Sequence, residues 1–362
     1  MKIIQLIFSL TSAGAERLVV NLCNELSKNN EVILITFVAE NATSTFYKPL
    51  LNNSIRYINL GCTSGLSLRA VFKTIVIFIK EKPSVVHAHL NTVLYCMLPS
   101  LFIKCKFIHT LHSIAPKTVG FSGQKILNKW FYKFKRIIPV AISKECAASF
   151  TDFYKLNGIS IVDNGVPEAH QSADFNKVKS ELAQVPNFEK SKKFIHIARF
   201  GAVKNQEVLI AVFTKLIAAQ HQVCLLIIGD GFEQLKSVHS TNSGIYFLGP
   251  KQNPLDYIQL SNCLILTSLW EGMPMCALES LSCGKPIVST PAGGMIDVIQ
   301  NNINGLLSAA FDEASIKTTV LQMVSKLDTL AFNKQQIINI YNSKYSITAC
   351  CNKYLAIYNT IV

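Results

Sequence analysis

Short β-branched runs alternate with helical patterns along nearly the whole chain, and this alternation limits the fold more than any other feature. Strands separated by helices pair in parallel, so the chain reads as parallel sheets covered by helices. Strands are expected near Ile3 to Phe8, Glu31 to Val38, Ser84 to Ala88, Lys106 to Leu111 and Ile138 to Ala141. A second series is expected at Phe194 to Ala198, Val223 to Ile228, Ile245 to Leu248, Cys263 to Thr267 and Pro286 to Ser289. Two series in 362 residues make two α/β domains, 1–168 and 194–340. Residues 169–193 are polar, contain Pro186 and keep no apolar period, which is how a linker reads; 341–362 reads as a last helix packing back on the first domain. Ligands of such sheets bind beyond the carboxyl ends of the strands, so the residues just after each strand are the ones to inspect.

Hydrophobic residues make up 49% of the chain and mean hydropathy is +0.30, which raises the question of a membrane span. The most apolar stretches are interrupted, 70–79 by Lys73 and 92–108 by Pro99, Lys104 and Lys106, short of the ~20 apolar residues a span needs. Lys2, the apolar run Ile3 to Leu10 and the small residues Ala13, Gly14 and Ala15 imitate a signal peptide. A buried first strand running into a glycine turn and a helix explains the same residues and also fits the strand series after them. Eleven cysteines, an odd count with no C-x-x-C, fit reduced thiols in a cytoplasmic protein. Residues 1–168 carry 19 Lys and Arg against 9 Asp and Glu, a net of +10, while 169–362 carry 16 against 13, a net of +3. A basic first half suits an anionic partner: nucleic acid, an acidic membrane or a phosphorylated substrate.

Several loops after strands carry chemistry. Gly14 opens a helix after the first strand, where backbone can approach a ligand and free N–H groups favour an anion, although tight turns use glycine anyway. His87, His89, His109 and His112 lie at neighbouring strand ends. Four histidines invite zinc, but no Cys, Asp or Glu lies within these motifs to complete a ligand set; the expectation is that some bond to backbone while His112 reaches outward. Arg199 and Lys204 follow the first strand of the second series, a fork and a point charge suited to a diphosphate. Gly229-Asp230-Gly231 reads as a plain strand exit. Residues 267–286 form the densest motif: Glu271 precedes a helix of about ten residues, Pro274 fits its first turn, Glu279 lies two turns inside, and Gly284 and Pro286 stop it. One carboxylate can meet hydroxyls at the helix mouth and the other hydroxyls deeper in, with the N–H groups around Gly272, Met273 and Met275 facing an anion between them. A Gly293-Gly294 turn after the next strand admits backbone close to a phosphate or nucleotide.

With these residues in place the chain resembles the retaining glycosyltransferases of the GT-B fold, in the large family 4 class (glycosyl transferases group 1) of bacterial surface polysaccharide assembly. The resemblance spans the turn 14–17, Val85 to His89, Thr110 to His112, Asp163 to Val166, Arg199 with Lys204, the Glu271 and Glu279 pair, and Gly293-Gly294. It implies two Rossmann-like domains whose parallel sheets face an interdomain cleft. It also implies roles: Arg199 and Lys204 on the donor diphosphate, Glu279 on the ribose, Glu271 on the donor sugar, and His112 on the sugar from the opposite domain. Gly14, Gly272, Met273, Pro274 and Met275 fall in the donor-binding set, and no metal or other cofactor is expected. Ala13, Asn205, Cys263 and Asp297 depart from the family pattern and put the donor's identity in doubt.

The expected function is a hexosyltransferase that moves a sugar from a nucleotide diphosphate sugar to a hydroxyl of a glycan or lipid-linked acceptor. An epimerase or phosphorylase on the same fold is the nearest rival. A nucleic-acid-binding protein is the rival from another class, disfavoured because no basic run with interleaved aromatics lies on a known nucleic-acid fold and the acidic pair would repel phosphate strands. Lysines 125, 129 and 133 beside Ile126, Leu127, Trp130, Phe131 and Phe134 read either as a helix lying on an anionic membrane at the inner face of the cell, or as an ordinary helix burying its aromatics.

Overall fold

A computed structural model describes residues 1–62, 67–238 and 244–360. The chain divides into two compact units, Met1–Val166 with Lys344–Val362, and Pro167–Ser343. Each is built on one parallel sheet, and both sheets belong to the Rossmann-like class.

The first sheet has strands β1 (Lys2–Ile7), β2 (Glu31–Val38), β3 (Arg56–Cys62), β4 (Val85–His89), β5 (Lys106–Leu111), β6 (Ile138–Ala141) and β7 (Ser160–Ile161), in the order β3-β2-β1-β4-β5-β6-β7. The chain moves outward from β1 to β3, then crosses to β4 and moves the other way. Right-handed crossovers therefore put the helix Gly14–Leu26 on one face, and the helices Leu68–Glu81, Leu94–Met97, Gln124–Lys133 and Lys144–Tyr154 on the other. Packing agrees: Ile4, Leu6, Ile33 and Ile35 share a core with Phe78, Tyr95, Phe131 and Phe150. Alternation along β1 turns Ile3, Gln5 and Ile7 to the opposite face, where the helix Gly14–Leu26 packs beside Ile347–Thr360. Ser67 and Ser143 cap their helices by accepting from the N–H groups of Ala70 and Cys146, and left-handed Lys82 and Lys155 end them.

In the second unit the strands are β8 (Lys192–Ile197), β9 (Val223–Ile228), β10 (Ile245–Gly249), β11 (Cys263–Leu266), β12 (Ile287–Ser289) and β13 (Gly305–Leu307), ordered β10-β9-β8-β11-β12-β13. This is the path of the first six strands of the other sheet. The strand order reverses between β1 and β4 in one unit and between β8 and β11 in the other, and ligands of such sheets bind at these switch points.

Three sequence expectations need correction. Within 169–193, read as linker, lies the helix Phe175–Ala183, a part of the second unit with Val178 and Leu182 buried. Phe175, Val178 and Leu182 do keep a helical spacing, but over only nine residues and in a polar setting, which is too short a run to announce it. The strands Arg56–Cys62, Ser160–Ile161 and Gly305–Leu307 are additional to the expected series; the last two have only two and three residues. Pro274 stands at the N-cap rather than in the first turn, and its helix begins at Met275.

The helix Ile347–Thr360 belongs to the first unit. Val166 donates to Tyr345 O (3.0 Å), Ile347 donates to Val166 O (2.8 Å), and Lys353 Nζ pairs with Asp163 Oδ2 at 2.7 Å. Gly165 makes this seat possible: a β-carbon there would lie 2.6 Å from Cys350 Cβ and 2.8 Å from Ser346 O. Gly165→Ala is therefore expected to destabilise the first unit by about 1–3 kcal/mol. Hydrogen exchange checks this, with protection lost in 347–360 and kept in the second unit; unchanged exchange in 347–360 contradicts it.

Candidate functional site

At the second unit's switch point, β8 runs out into the loop 198–205 and β11 into 267–274. Lys204 Nζ lies 2.6 Å from Glu271 Oε1, and Ser268 Oγ donates to the same oxygen at 2.6 Å. Glu271 is 6% exposed, yet its Oε2 has no hydrogen-bond partner among the described residues. Arg199 is exposed on the β8 loop and makes no ion pair among them. The two loops are stitched together: Thr267 Oγ1 donates to Lys204 O (3.1 Å), and the Leu269 N–H donates to Val203 O (2.8 Å). Asn205 has φ 53°, the left-handed region that Asn tolerates better than most residues, so it fills a glycine-type position without disturbing the turn.

Two supports were missed in the sequence. Gln206 is buried and spends its whole amide on the Arg199 loop: Nε2 donates to Arg199 O (2.9 Å) and to His196 Nε2 (3.3 Å), and Oε1 accepts from the Gly201 N–H (3.0 Å). His196 Nδ1 donates to Ile265 O at 2.9 Å, which leaves its Nε2 as the acceptor that Gln206 needs. Burial holds the His196 pKa down at about 4. The Gly229-Asp230 turn is more than a strand exit, since Asp230 O accepts from the Phe200 N–H at 2.8 Å.

Glu279 is also buried, but lies just over one turn, not two, into the helix Met275–Ser282, whose first N–H groups no side chain caps. Burial, then the charges of Glu271 and Glu279, push the Cys276 thiol up to about 12, so this thiol lies between both carboxylates electrostatically. The Gly294 N–H donates to Glu271 O at 3.0 Å, and a β-carbon at Gly294 would lie 1.7 Å from Gly272 O. Glycine there lets the turn after β12 rest on the Glu271-Gly272 backbone. Of the residues singled out in the sequence, the structure thus joins Lys204 to Glu271 directly and sets Gly272 to Met275 and Glu279 on the adjoining loop and helix.

Gly14 and His112 belong to the first unit. Gly14 is exposed as the first residue of its helix. The histidines form a bonded network rather than a metal cluster. Gln5 Oε1 can only accept, so His89 Nε2 donates to it (2.8 Å); His89 Nδ1 then accepts from His112 Nε2 (2.9 Å). That leaves the His112 Nδ1 lone pair as an acceptor. Burial and the neighbouring His109 lower the His112 pKa to about 3. His87 lies between Tyr358 OH and Thr110 Oγ1, both at 2.7 Å, and Tyr354 OH meets Thr110 Oγ1 at 2.9 Å. His109 Nε2 donates to Leu90 O (2.8 Å), and Leu90, just past His89, has φ 56°, a strained value for a leucine. Gln5, Tyr354 and Tyr358 carried no signal in the sequence as members of this network.

Known proteins resemble both units. Residues 12–170 match the model of Glycosyltransferase Family 4, and 178–339 match that of Glycosyl transferases group 1. The chain is 28% identical over 338 residues, 87% of each protein, to the Campylobacter jejuni GalNAc-alpha-(1->4)-GalNAc-alpha-(1->3)-diNAcBac-PP-undecaprenol alpha-1,4-N-acetyl-D-galactosaminyltransferase. It is 28% identical over 230 residues, 61% of this chain, to the N-acetyl-alpha-D-glucosaminyl L-malate synthase of Bacillus anthracis. It spans 59% of the length of that synthase and 59% of the Methanocaldococcus jannaschii glycosyltransferase MJ1059, to which it is 26% identical over 240 residues. The crystal structure of Anabaena Alr3699/HepE in complex with UDP superposes over 100% of both chains with a TM-score of 0.80 at 18% identity. The chain belongs to the glycosyltransferases of the GT-B fold, its first domain of the family 4 type and its second of the group 1 type.

Proposed function

We propose that the protein transfers a sugar from a nucleotide diphosphate sugar to a hydroxyl of a glycan or lipid-linked acceptor, with retention of configuration at the anomeric carbon. The observation that carries this is the second unit's switch point, where Lys204 is paired to a buried carboxylate that keeps one oxygen unspent, with an exposed Arg199 on the same loop. In the transfer, the bond from the anomeric carbon to the diphosphate breaks, a bond to the acceptor oxygen forms on the same face, and the acceptor's proton passes to the departing diphosphate. Negative charge grows on that diphosphate, and Arg199, Lys204 and the uncapped helix start at Met275 are the groups that meet it. Glu271 Oε2 takes a hydroxyl of the donor sugar, Glu279 takes the ribose, and His112 Nδ1 accepts from a sugar hydroxyl. Lys204, held by Glu271, and the exposed Arg199 supply the neutralisation that a metal ion supplies elsewhere, so the reaction needs no metal and survives a chelator.

UDP, the nucleotide named for the Anabaena neighbour, is the first to test. A polyprenyl-diphosphate-linked glycan is the acceptor class favoured by the relative aligned over most of its length, and a small soluble acid is the alternative drawn from the Bacillus anthracis relative. An epimerase on this fold is separated by showing no acceptor dependence, and a phosphorylase by needing inorganic phosphate or a pyridoxal cofactor.

Replacing Arg199 or Lys204 by Ala is expected to lower turnover by about 10² or more, since each removes charge stabilisation that grows toward the transition state. Glu279→Ala is expected to weaken nucleotide binding, whereas Glu271→Ala keeps it and loses transfer. Kinetics and calorimetry with the nucleotide product check both, and equal loss of nucleotide affinity in the two Glu variants contradicts the division of roles.

The pH profile tests His112. A pKa lowered to about 3 keeps the imidazole neutral, with its Nδ1 lone pair available, at any pH above about 4. The acid side of kcat/KM is thus expected to show no limb near pH 6.5 from this residue. An acid limb near 6.5 that disappears in His112→Asn means the imidazole is not held neutral.

A further inference from the structure

Two helices on one face of the first sheet turn apolar residues outward. On Leu68–Glu81 the inward stripe is Ala70, Thr74, Phe78 and Glu81, while Leu68, Phe72, Val76 and Ile79 repeat along the outer side. Leu68 is 84% exposed and Phe72 68%, where an ordinary surface helix places polar residues. The helix Gln124–Lys133 is inverted: Gln124 and Asn128 are fully buried, whereas Ile126, Leu127, Trp130 and the adjoining Phe134 are exposed. Its polar residues are spent inside, Asn128 Nδ2 donating to Tyr154 OH (3.0 Å) and Gln124 Nε2 to Asn91 Oδ1 (2.9 Å). Of the apolar residues expected to be buried in an ordinary helix there, only Phe131 is. A third segment between the two in sequence exposes Leu98, Leu101 and Phe102. All three follow connections that cross the same face of the sheet, and their inner residues enter one core.

Charge on this face is predominantly positive; its carboxylates are Glu145 and the exposed Asp152 on the helix Lys144–Tyr154, Asp152 being paired with Lys155 at 2.5 Å. From residue 82 to 144 the chain carries ten lysines and arginines and no Asp or Glu. Glu81, the last carboxylate before that stretch, is turned inward and held by Lys2 (3.2 Å) and Arg56 (2.6 Å). Lys125, Lys133, Lys135 and Arg136 are exposed beside the apolar residues of the second helix, as are Arg69 and Lys80 on the first. Apolar and aromatic side chains projecting from these helices, ringed by cations that outnumber the carboxylates beside them, match a bilayer interface with anionic headgroups. No helix among the described residues is long and apolar enough to cross a membrane.

We infer that this face is a membrane-docking surface, which seats on an anionic lipid bilayer with the helices Leu68–Glu81 and Gln124–Lys133 both entering the interface. The inference goes beyond the proposed transfer reaction, which a soluble acceptor would support without any membrane.

The test is flotation of the full chain with vesicles of phosphatidylcholine alone or with about 30% phosphatidylglycerol, a fraction chosen so that each cation near the surface adds about fivefold to partitioning. Flotation is expected only with the acidic lipid, at low salt, and is expected to fall by at least about tenfold in either exposed pair variant, Phe72→Ser with Ile79→Ser or Trp130→Ser with Phe134→Ser. Trp130 fluorescence is expected to be quenched by brominated acyl chains, and Trp130→Phe to lose that quenching. Thermal unfolding of each variant establishes that it is folded, and nucleotide calorimetry reports separately on the transfer site. A chain that stays in the soluble fraction with acidic vesicles at low salt overturns the inference. So does flotation undiminished in both folded pair variants, or a face found by sedimentation to join two copies of the chain without binding vesicles.

Discussion

At Gly294 a β-carbon would lie 1.7 Å from the carbonyl oxygen of Gly272, and the absence of one lets the turn after β12 rest directly on the loop after β11. The rest of the second unit's site depends on that approach. With the Gly294 N–H on Glu271 O, the backbone at Glu271 is fixed, and its side chain meets Lys204 and Ser268 without searching. A buried carboxylate is costly unless paired, and these two partners offset the cost while leaving Oε2 for a ligand. Thr267 then ties the Lys204 backbone to the same loop, so ammonium and carboxylate stand in place before any anion arrives. Groups set in advance do not have to reorganise when charge develops, which is where electrostatic stabilisation gains most.

The first unit solves a different problem: how to bury several histidines together. His87, His89 and His109 are buried and His112 partly so, and desolvation pushes all four pKa values down, so they sit together as neutral rings. Neutral rings need matched donors and acceptors. Gln5 provides the acceptor that orders His89 and thereby His112, and its own amide donates to Tyr358 OH at 3.3 Å. The first strand and the last helix therefore close this network together. The C-terminal segment is part of the machinery that sets the His112 tautomer, as well as part of the packing.

The strand series was legible because alternation of period is a local property, and so was the placing of Arg199, Lys204 and Glu271 on loops just past strands and of Glu279 on the helix that follows. The supports were not legible because their partners lie far away in the chain. Gln5 and Tyr358 are 353 residues apart, and His196 and Ile265 are 69 apart. Tyr354 and Tyr358, four apart on a helix, look like any apolar stripe until Thr110 and His87 are placed opposite them. The helix Gln124–Lys133 shows a subtler limit. Its period announces two faces but not which one turns inward, and the buried amides of Gln124 and Asn128 reverse the usual rule because Asn91 accepts from Gln124 Nε2 and Tyr154 from Asn128 Nδ2. The departure at Asn205 was visible as a residue change, but only its left-handed backbone shows that the turn tolerates it.

Two groups of cations in the chain respond differently to their surroundings. Lys204 is partly buried and engaged by a carboxylate at 2.6 Å, so its interactions act over distances far shorter than the ~8–10 Å screening length of physiological salt. The cations between residues 82 and 144 work instead as a summed surface field, which salt attenuates directly. A field of that kind gathers anionic surfaces but selects nothing; selection needs the fixed geometry of the second unit's loops. On the functions proposed above, the basic half of the chain is the half whose exact charge positions matter least, and the nearly balanced half is where a single lysine, held by Glu271 and Thr267, matters most.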